Sequence, residues 1–540
     1  MEETQAPAVS AEQVTAAGLE YDALDSPYAP YMIAFFTAAA MMAVEMLAGR
    51  VISRLTGSSL YTWTSVIGVV LAGVTIGNYA GGILSDHWDP KRFLGWLFLL
   101  ASMACISTLF LAYVFRMHKV FSGMSWPAVV FLTVFCTFFI PSLLLGCFGP
   151  VAAKMALRNS RRIGFTLGAV SAWGAAGSIV GTLVTGFWLI SLLGTKGLPQ
   201  IIAMALAAAG LWAGPARQVQ AIWVGVVGAA ILLSHGDFKD DSSFQLRQIF
   251  QEPRSDLFCQ DSDYQFIRVY EDKSKRDPER DVRVLALDYL IHGYIDPKDP
   301  THLEYDYELV YRDVLKRYAG DKKTVAAFFL GGGSYTFPRW LLNQWPTAKI
   351  DVAEIDPMVI EANHKALALP RDTPIRSFAM DARRAVDELP PDEKYDFFFG
   401  DAFNDLSSPF HLSTLEFVKK VDSHLKPDGA YLVNIIDSYE TALLLGSITG
   451  TLERVFEHVY VFCTEKGGVR KARDTYIVAA SHVPLDVSGL QPGHQTAFCG
   501  SLLTAENLGQ IKKLCNDRVL TDDDAPVDNL IAPVLRQRKQ

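Results

Sequence analysis

The chain has 540 residues, 50% of them hydrophobic, and a formal net charge of −9. That length exceeds one ordinary core, so at least two domains are expected. The negative balance, with no basic stripe, argues against nucleic acid as a main partner, and seven cysteines without a C-x-x-C pair argue against both a zinc centre and a disulfide framework.

Residues 1–30 are polar and read as a tail; the acidic start has no basic n-region and is not of signal-peptide type. Residues 31–234 carry few charges in long apolar runs. A membrane-spanning helix needs about 20 mostly apolar residues, and backbone groups in hydrocarbon must pair within the segment. Candidate spans are 31–49, 60–79, 94–115, 127–149, 163–190, 199–214 and 218–234, an α-helical transmembrane bundle of about seven helices. Glu45 sits at membrane depth and should face protein or water, paired or protonated. Gly174, Gly177 and Gly181 read as helix-packing positions, with a substrate path as the sharper alternative. Gly77 to Arg92 resembles the loop between helices two and three of major-facilitator transporters, through Asp86, Asp89, Lys91 and Arg92. Such transporters carry more helices than these runs supply.

Basic residues in the loops on the N-terminal side number seven, against five on the other side. The positive-inside rule therefore favours a cytoplasmic N-terminus. With seven spans that would put the second half outside, whereas adenosyl cosubstrates are made in the cytosol. A cytoplasmic second half in an inner-membrane, multi-pass protein is the expectation adopted, with an eighth crossing as its simplest reconciliation.

Residues 235–258 are a polar linker. Residues 259–300 read as a small β-hairpin subdomain, with strands at Tyr264–Glu271 and Val282–Leu287 around a charged turn. Residues 303–318 have helical spacing, through Leu309, Val310, Val314 and Leu315. From 325 the pattern alternates strand and helix through 301–540: strands at 325–330, 349–353, 375–379, 395–399 and 430–435, helices at 335–345, 357–368, 383–388 and 413–425. This predicts an α/β, doubly wound parallel sheet with ligand groups at the carboxyl ends of its strands.

The strand ends carry chemistry in order. Gly331, Gly332, Gly333 and Ser334 follow the first strand, where glycine lets a nucleoside approach the backbone. Glu354 ends the second and is placed to accept from ribose hydroxyls. Asp381 follows the third and is placed for an adenine amino group. Asp401 follows the fourth, at the reacting centre. NAD is the competing ligand, but the run is G-G-G-S rather than G-x-G-x-x-G. The histidines show no ligand spacing, Trp340 and Trp345 read as packing, the cysteines as buried thiols, and Asp522 to Asp524 as a solvated loop or helix cap. No metal site is expected.

Residues 256–480 resemble spermidine synthase and related polyamine aminopropyltransferases. The matching stretches are SDYQFIRVYE from Ser262, LALD from Leu285, EYDYE from Glu304, FLGGGS from Phe329, AEID from Ala353, Asp381-Ala382 and YDFFFGDAFND from Tyr395. The whole chain looks like the membrane-fused branch of that family, with a Rossmann-like, methyltransferase-type catalytic domain. The resemblance implies that Gln265 contacts the nucleoside, Glu354 the ribose, and Asp381 and Ala382 the adenine. It also implies that Tyr307, Glu308, Asn404 and Asp405 line an amine pocket, and that Asp401 takes the proton of the attacking amine. The implied cosubstrate is decarboxylated S-adenosylmethionine, or S-adenosylmethionine itself, with no permanently bound cofactor. The implied partners are a small amine such as putrescine, the lipid bilayer and, as often in such synthases, a second copy of the chain. Two positions depart from the family: Ser334 stands where Asp is usual, and Asn404 where a second acid is usual, with Asp405 one place later. Both departures make the pocket less anionic. They keep open a sulfonium reaction without a diamine (methyl transfer, elimination or cyclisation), beside a transporter or sensor.

Overall fold

The computed structural model describes residues 24, 26–58, 60–118, 120–121, 124–158, 160–213, 217–235, 256–403, 408–464, 473–488, 490 and 499–536. The chain divides into two compact units. One comprises Met1–Ala48, Val66–Tyr113 and Val134–Gln251; the other comprises Gly49–Ser65, Val114–Thr133 and Glu252–Gln540.

The first unit is helical. Among the described residues, five helical stretches are long and apolar enough to cross a membrane: Ala29–Thr56, Tyr61–His87, Pro90–Phe115, Trp126–Arg158 and Ile163–Trp212. The fifth and sixth apolar runs fall on the last stretch, which holds a π-helical segment at Thr185–Leu189. It breaks at Gly194, whose φ of 67° and ψ of 176° no helix tolerates. The seventh run lies in the shorter helix Arg217–His235. Two of the three glycines read as packing positions do bring backbones together: a Cβ at Gly177 would meet the Phe35 carbonyl, and one at Gly181 the Ala39 carbonyl. Gly174 faces open space. In the transporter-like loop, Asp86 pairs with Lys154 at 2.8 Å and Asp89 with Arg158 at 2.7 Å. None of the seven cysteines, all among the described residues, forms a disulfide; Cys105, Cys147, Cys463 and Cys515 are buried, whereas Cys136 is exposed.

The second unit contains two sheets among its described residues. The first is an antiparallel meander of β1 (Phe258–Asp261), β2 (Phe266–Lys273), β3 (Asp281–Leu287) and β4 (Leu290–Ile295). The expected hairpin is its middle pair. β1 begins at the end of the polar run taken as linker, and β4 follows β3 after only Asp288 and Tyr289, a turn that Asp288 enters at φ 49°.

The second sheet has the strand order β12-β10-β11-β9-β8-β5-β6-β7. Its strands are β5 (Ala326–Leu330), β6 (Lys349–Glu354), β7 (Arg376–Ala379), β8 (Tyr395–Gly400), β9 (Leu425–Asp437), β10 (His458–Cys463), β11 (Asp474–Ser481) and β12 (Ser501–Leu502). The five strands β5 to β9 are parallel, in line with the sequence pattern. The pairings β9–β11, β11–β10 and β10–β12 are antiparallel, so the sheet is mixed rather than wholly parallel. Alternate residues of β5 feed two cores: Phe328 and Leu330 one side, Ala327 and Phe329 the other. Burial on both faces explains why the strand reads as a continuous apolar run. The chain runs outward from β5 through β6 to β7, then returns to the other side of β5 as β8. The carboxyl ends of β5 and β8 therefore flank the topological switch point, where such sheets leave a crevice for ligands.

Candidate active site

A cavity of about 490 Å³ opens at that crevice, within the size range of small-molecule sites. Its wall brings together Gln265, Tyr307, Glu308, the glycine run with Ser334, Glu354, Asp381, Ala382 and Asp401. Asn404 and Asp405 lie outside the described residues.

The glycine run shapes the floor. Gly331 has φ +99°, and a Cβ there would stand 2.6 Å from the Asp401 carbonyl oxygen. Only glycine allows β5 and β8 to end so close together. Gly333 and Tyr335 also take left-handed backbone, at φ 49° and 56°. The turn aims backbone N–H groups at Glu354: Gly332 donates to its Oε2 at 2.9 Å and Asp356 to its Oε1 at 3.1 Å. Glu354 is buried, and that burial raises its pKa above the usual carboxylate value. It thus anchors the glycine loop as well as facing the cavity.

Asp356, two residues on, caps the helix Pro357–Ala366 by accepting from the Met358 N–H at 2.9 Å. Its other oxygen accepts from the Ser262 hydroxyl. This bond ties the meander to the end of β6 and sets Gln265 on the cavity wall.

Asp401 is held from two sides. Asn434 on β9 donates to its Oδ1 at 2.8 Å, and Tyr307 donates to its Oδ2 at 3.1 Å. Burial nevertheless pushes its pKa up to about 6. Glu308, in the first turn of the helix Asp306–Ala319, accepts from the Tyr305 N–H at 3.1 Å. Burial, with the nearby Asp401 charge adding to it, pushes Glu308 to about 8. The end of the cavity beside these acids is aromatic: Tyr305 and Tyr307 lie 5.4 Å apart, Tyr307 and Tyr311 5.6 Å. Aromatic faces beside carboxylates suit an ammonium group. Ser334 is turned into the protein, sharing a 2.6 Å bond with Thr336, whose hydroxyl in turn donates to the Tyr294 carbonyl at 2.8 Å.

Asp381 stands at the opposite end, with His411 Nε2 2.8 Å from its Oδ2. His411, His292, Asn434, Arg473 and Thr475 all line the cavity without having been singled out in the sequence. Neither histidine has ligand spacing in the sequence; His292 is half-buried there and held neutral, its pKa pushed down to about 4. Asp522 lies in an exposed turn, as the solvated-loop reading expects, and from there grips Arg383 through both carboxylate oxygens. That contact joins positions 139 residues apart, a separation no local pattern reveals.

No family model matches the chain. Among curated proteins it is 32% identical over 110 residues to a probable polyamine aminopropyl transferase of Bifidobacterium longum, covering 20% of this chain and 24% of that one. It is 31% identical over 134 residues to a polyamine aminopropyltransferase of Vibrio vulnificus, covering 25% and 43%. A polyamine aminopropyltransferase of Oceanobacillus iheyensis aligns over 411 residues at 23% identity, 72% of this chain and 74% of that one. Over these stretches the chain is similar to polyamine aminopropyltransferases. The matches to the first two relatives span less than half of their length. Solved structures similar to the chain include a probable spermidine synthase from Corynebacterium glutamicum, at TM-score 0.43 and 18% identity, covering 49% of this chain and 96% of that one. The spermidine synthase of Thermotoga maritima gives 0.34 and 18%, covering 48% and 88%.

Proposed function

We propose that the chain is a membrane-embedded transferase that moves an aminopropyl group from decarboxylated S-adenosylmethionine to an amine such as putrescine, releasing methylthioadenosine. The observation that carries this reading is Asp401: a buried carboxylate held by Tyr307 and Asn434, in the same cavity as Glu354 and Asp381. The names of the curated relatives support it.

In this reading the adenosine half lies between Glu354, for the ribose, and Asp381 with Ala382, for the adenine. The aminopropyl ammonium lies against Glu308 and the tyrosines. An ammonium has no lone pair, so the acceptor must give up a proton before it attacks, and Asp401 is the base within the cavity. Nitrogen then forms a bond to the carbon beside the sulfonium. The carbon–sulfur bond breaks, and its electron pair stays on sulfur as the neutral thioether of methylthioadenosine. A second reading, a sulfonium reaction without a diamine, is favoured by one observation: Ser334 brings no charge and its hydroxyl is engaged by Thr336.

The helical half is read as crossing the bilayer seven times. A helix of 50 residues would be roughly 75 Å long, far beyond a hydrocarbon core of about 30 Å, so the break at Gly194 would divide Ile163–Trp212 into two crossings. The catalytic half belongs on the cytoplasmic side, where its cosubstrate is made; with seven crossings that puts the N-terminus on the other side, against the seven-to-five balance of loop charges, and a homodimer remains part of this reading.

Product analysis tests it. Purified full-length protein is incubated with decarboxylated S-adenosylmethionine, with and without putrescine. Methylthioadenosine released only with both supports aminopropyl transfer. Release without an amine favours the second reading, and adenosylhomocysteine from intact S-adenosylmethionine would mean methyl transfer.

A further inference from the structure

The base end of the cavity is built by residues far apart in the chain. Asp381 Oδ1 accepts the backbone N–H groups of Arg383 and Arg384, at 2.9 and 3.1 Å. Its Oδ2 meets His411 Nε2 at 2.8 Å. The His411 carbonyl accepts from Arg383 Nη1 at 3.0 Å. The same guanidinium holds Asp522 at 2.7 Å through Nη1 and 2.5 Å through Nη2. Asp522 also accepts from the Thr414 hydroxyl at 2.7 Å, and its N–H donates to Glu416 at 2.9 Å. Beside it, the Leu415 N–H donates to the Leu520 carbonyl at 2.8 Å. The segment from Leu520 to Asp522 is thereby fastened to the stretch that carries His411.

Both Asp381 and His411 line the cavity, and about a third of each side chain stays open, 32% and 31%. A carboxylate oxygen offers two lone pairs. His411 occupies one on Oδ2 and fixes the direction of the other. An exocyclic amino group can fill that remaining position; a keto oxygen there would face the carboxylate and be repelled.

We propose that His411 is a positioning residue for base selection, holding Asp381 so that it accepts a 6-amino purine and rejects a 6-keto one, and that Asp522 serves the same end by fastening Arg383 and the His411 backbone. This rests on the adenosyl reading of the cavity and extends it to residues outside the strand ends. A charged bidentate pair is the strongest brace the loop has, and the Arg383 contact holds Asp522 well below the usual carboxylate range, at about 2.

The test is equilibrium binding of methylthioadenosine and methylthioinosine to the detergent-solubilised full chain by calorimetry, with a melting curve for each variant. Wild type should prefer the adenosine form. His411→Ala should lower that preference by roughly tenfold, the size of one charge-assisted hydrogen bond. His411→Asn, which keeps an N–H donor, should recover part of it, and Asp522→Asn should lower it less. An unchanged preference in both His411→Ala and Asp522→Asn overturns the proposal. So does an equal loss of both nucleosides with a lowered melting temperature, which would mark a merely structural role. Wild type binding neither nucleoside overturns it as well. A wild type that discriminates the two nucleosides yet transfers nothing to any amine sinks aminopropyl transfer and leaves base selection standing.

Discussion

Asp401 and Glu308 share one problem: each is a carboxyl group buried where ionisation is disfavoured. Burial holds Asp401 near 6 and Glu308 near 8. A base works only when ionised, so kcat/KM should rise with pH and level off above about 6, read from a pH–rate profile of the free enzyme. Asp401→Asn should abolish turnover while leaving methylthioadenosine affinity within a few fold; normal turnover in that variant would remove Asp401 from the chemistry. Glu308 is protonated at neutral pH, and an ammonium brought beside it should drive the proton off. Decarboxylated S-adenosylmethionine should therefore release a proton on binding at pH 7, seen as a dependence of the calorimetric heat on buffer ionisation enthalpy. Glu308→Gln should lose that dependence. The stability sign follows from the same shifts. A native carboxyl pKa above its unfolded value makes the native state the better proton binder. For Asp401 this stabilisation is full below its unfolded value near 4 and is lost as pH climbs through about 6. At this scale Glu354, Asp381 and Asp401 were legible because each ends or follows a strand. Asn434 and His411 were not: Asn434 lies inside a strand that reads as apolar, and His411 reaches Asp381 across 30 residues of chain.

Elements were legible wherever burial imposes a period. The run at β5 is apolar throughout because both faces of the sheet are covered. β1 and β4 were missed for physical reasons. β1 pairs only with β2, as an edge strand carrying Gln260 and Asp261, so its sequence shows no alternation. β4 contains Gly293, where a Cβ would collide with the Ser334 side chain; a glycine that reads as a strand breaker is there to let the meander close on the loop after β5. The tightest element junction is Gly331. Gly331→Ala combines a left-handed backbone with a clash against the end of β8. It should destabilise the chain by about 1–3 kcal/mol and weaken methylthioadenosine binding; a variant that melts and binds like wild type would show that β5 and β8 can part without consequence.

For the whole molecule, apolar length is the property most directly visible in sequence, and five helical stretches meet it. The break that divides the fifth was legible as the gap between the apolar runs 163–190 and 199–214; its exact place, Gly194, was not, because only backbone angles set that glycine apart. A chain anchored by these helices should stay in the membrane pellet after alkaline carbonate extraction; recovery in the supernatant would mean that the helices are packed away in some other manner.

The reversal of the sheet beyond β9 has an effect of its own. β11 runs against β9, with Asp474 opposite Asp437, so it starts where its neighbour finishes. Arg473 and Thr475 consequently reach the ligand crevice from the opening residues of a strand, while Asn434 and Ile436 reach it from the closing residues of another. The half of that rim supplied by β11 can change in evolution without moving the glycine turn after β5, which stands on the parallel strands. If the proposed reaction holds, a lineage could in this way exchange one amine for another while keeping the same adenosyl donor.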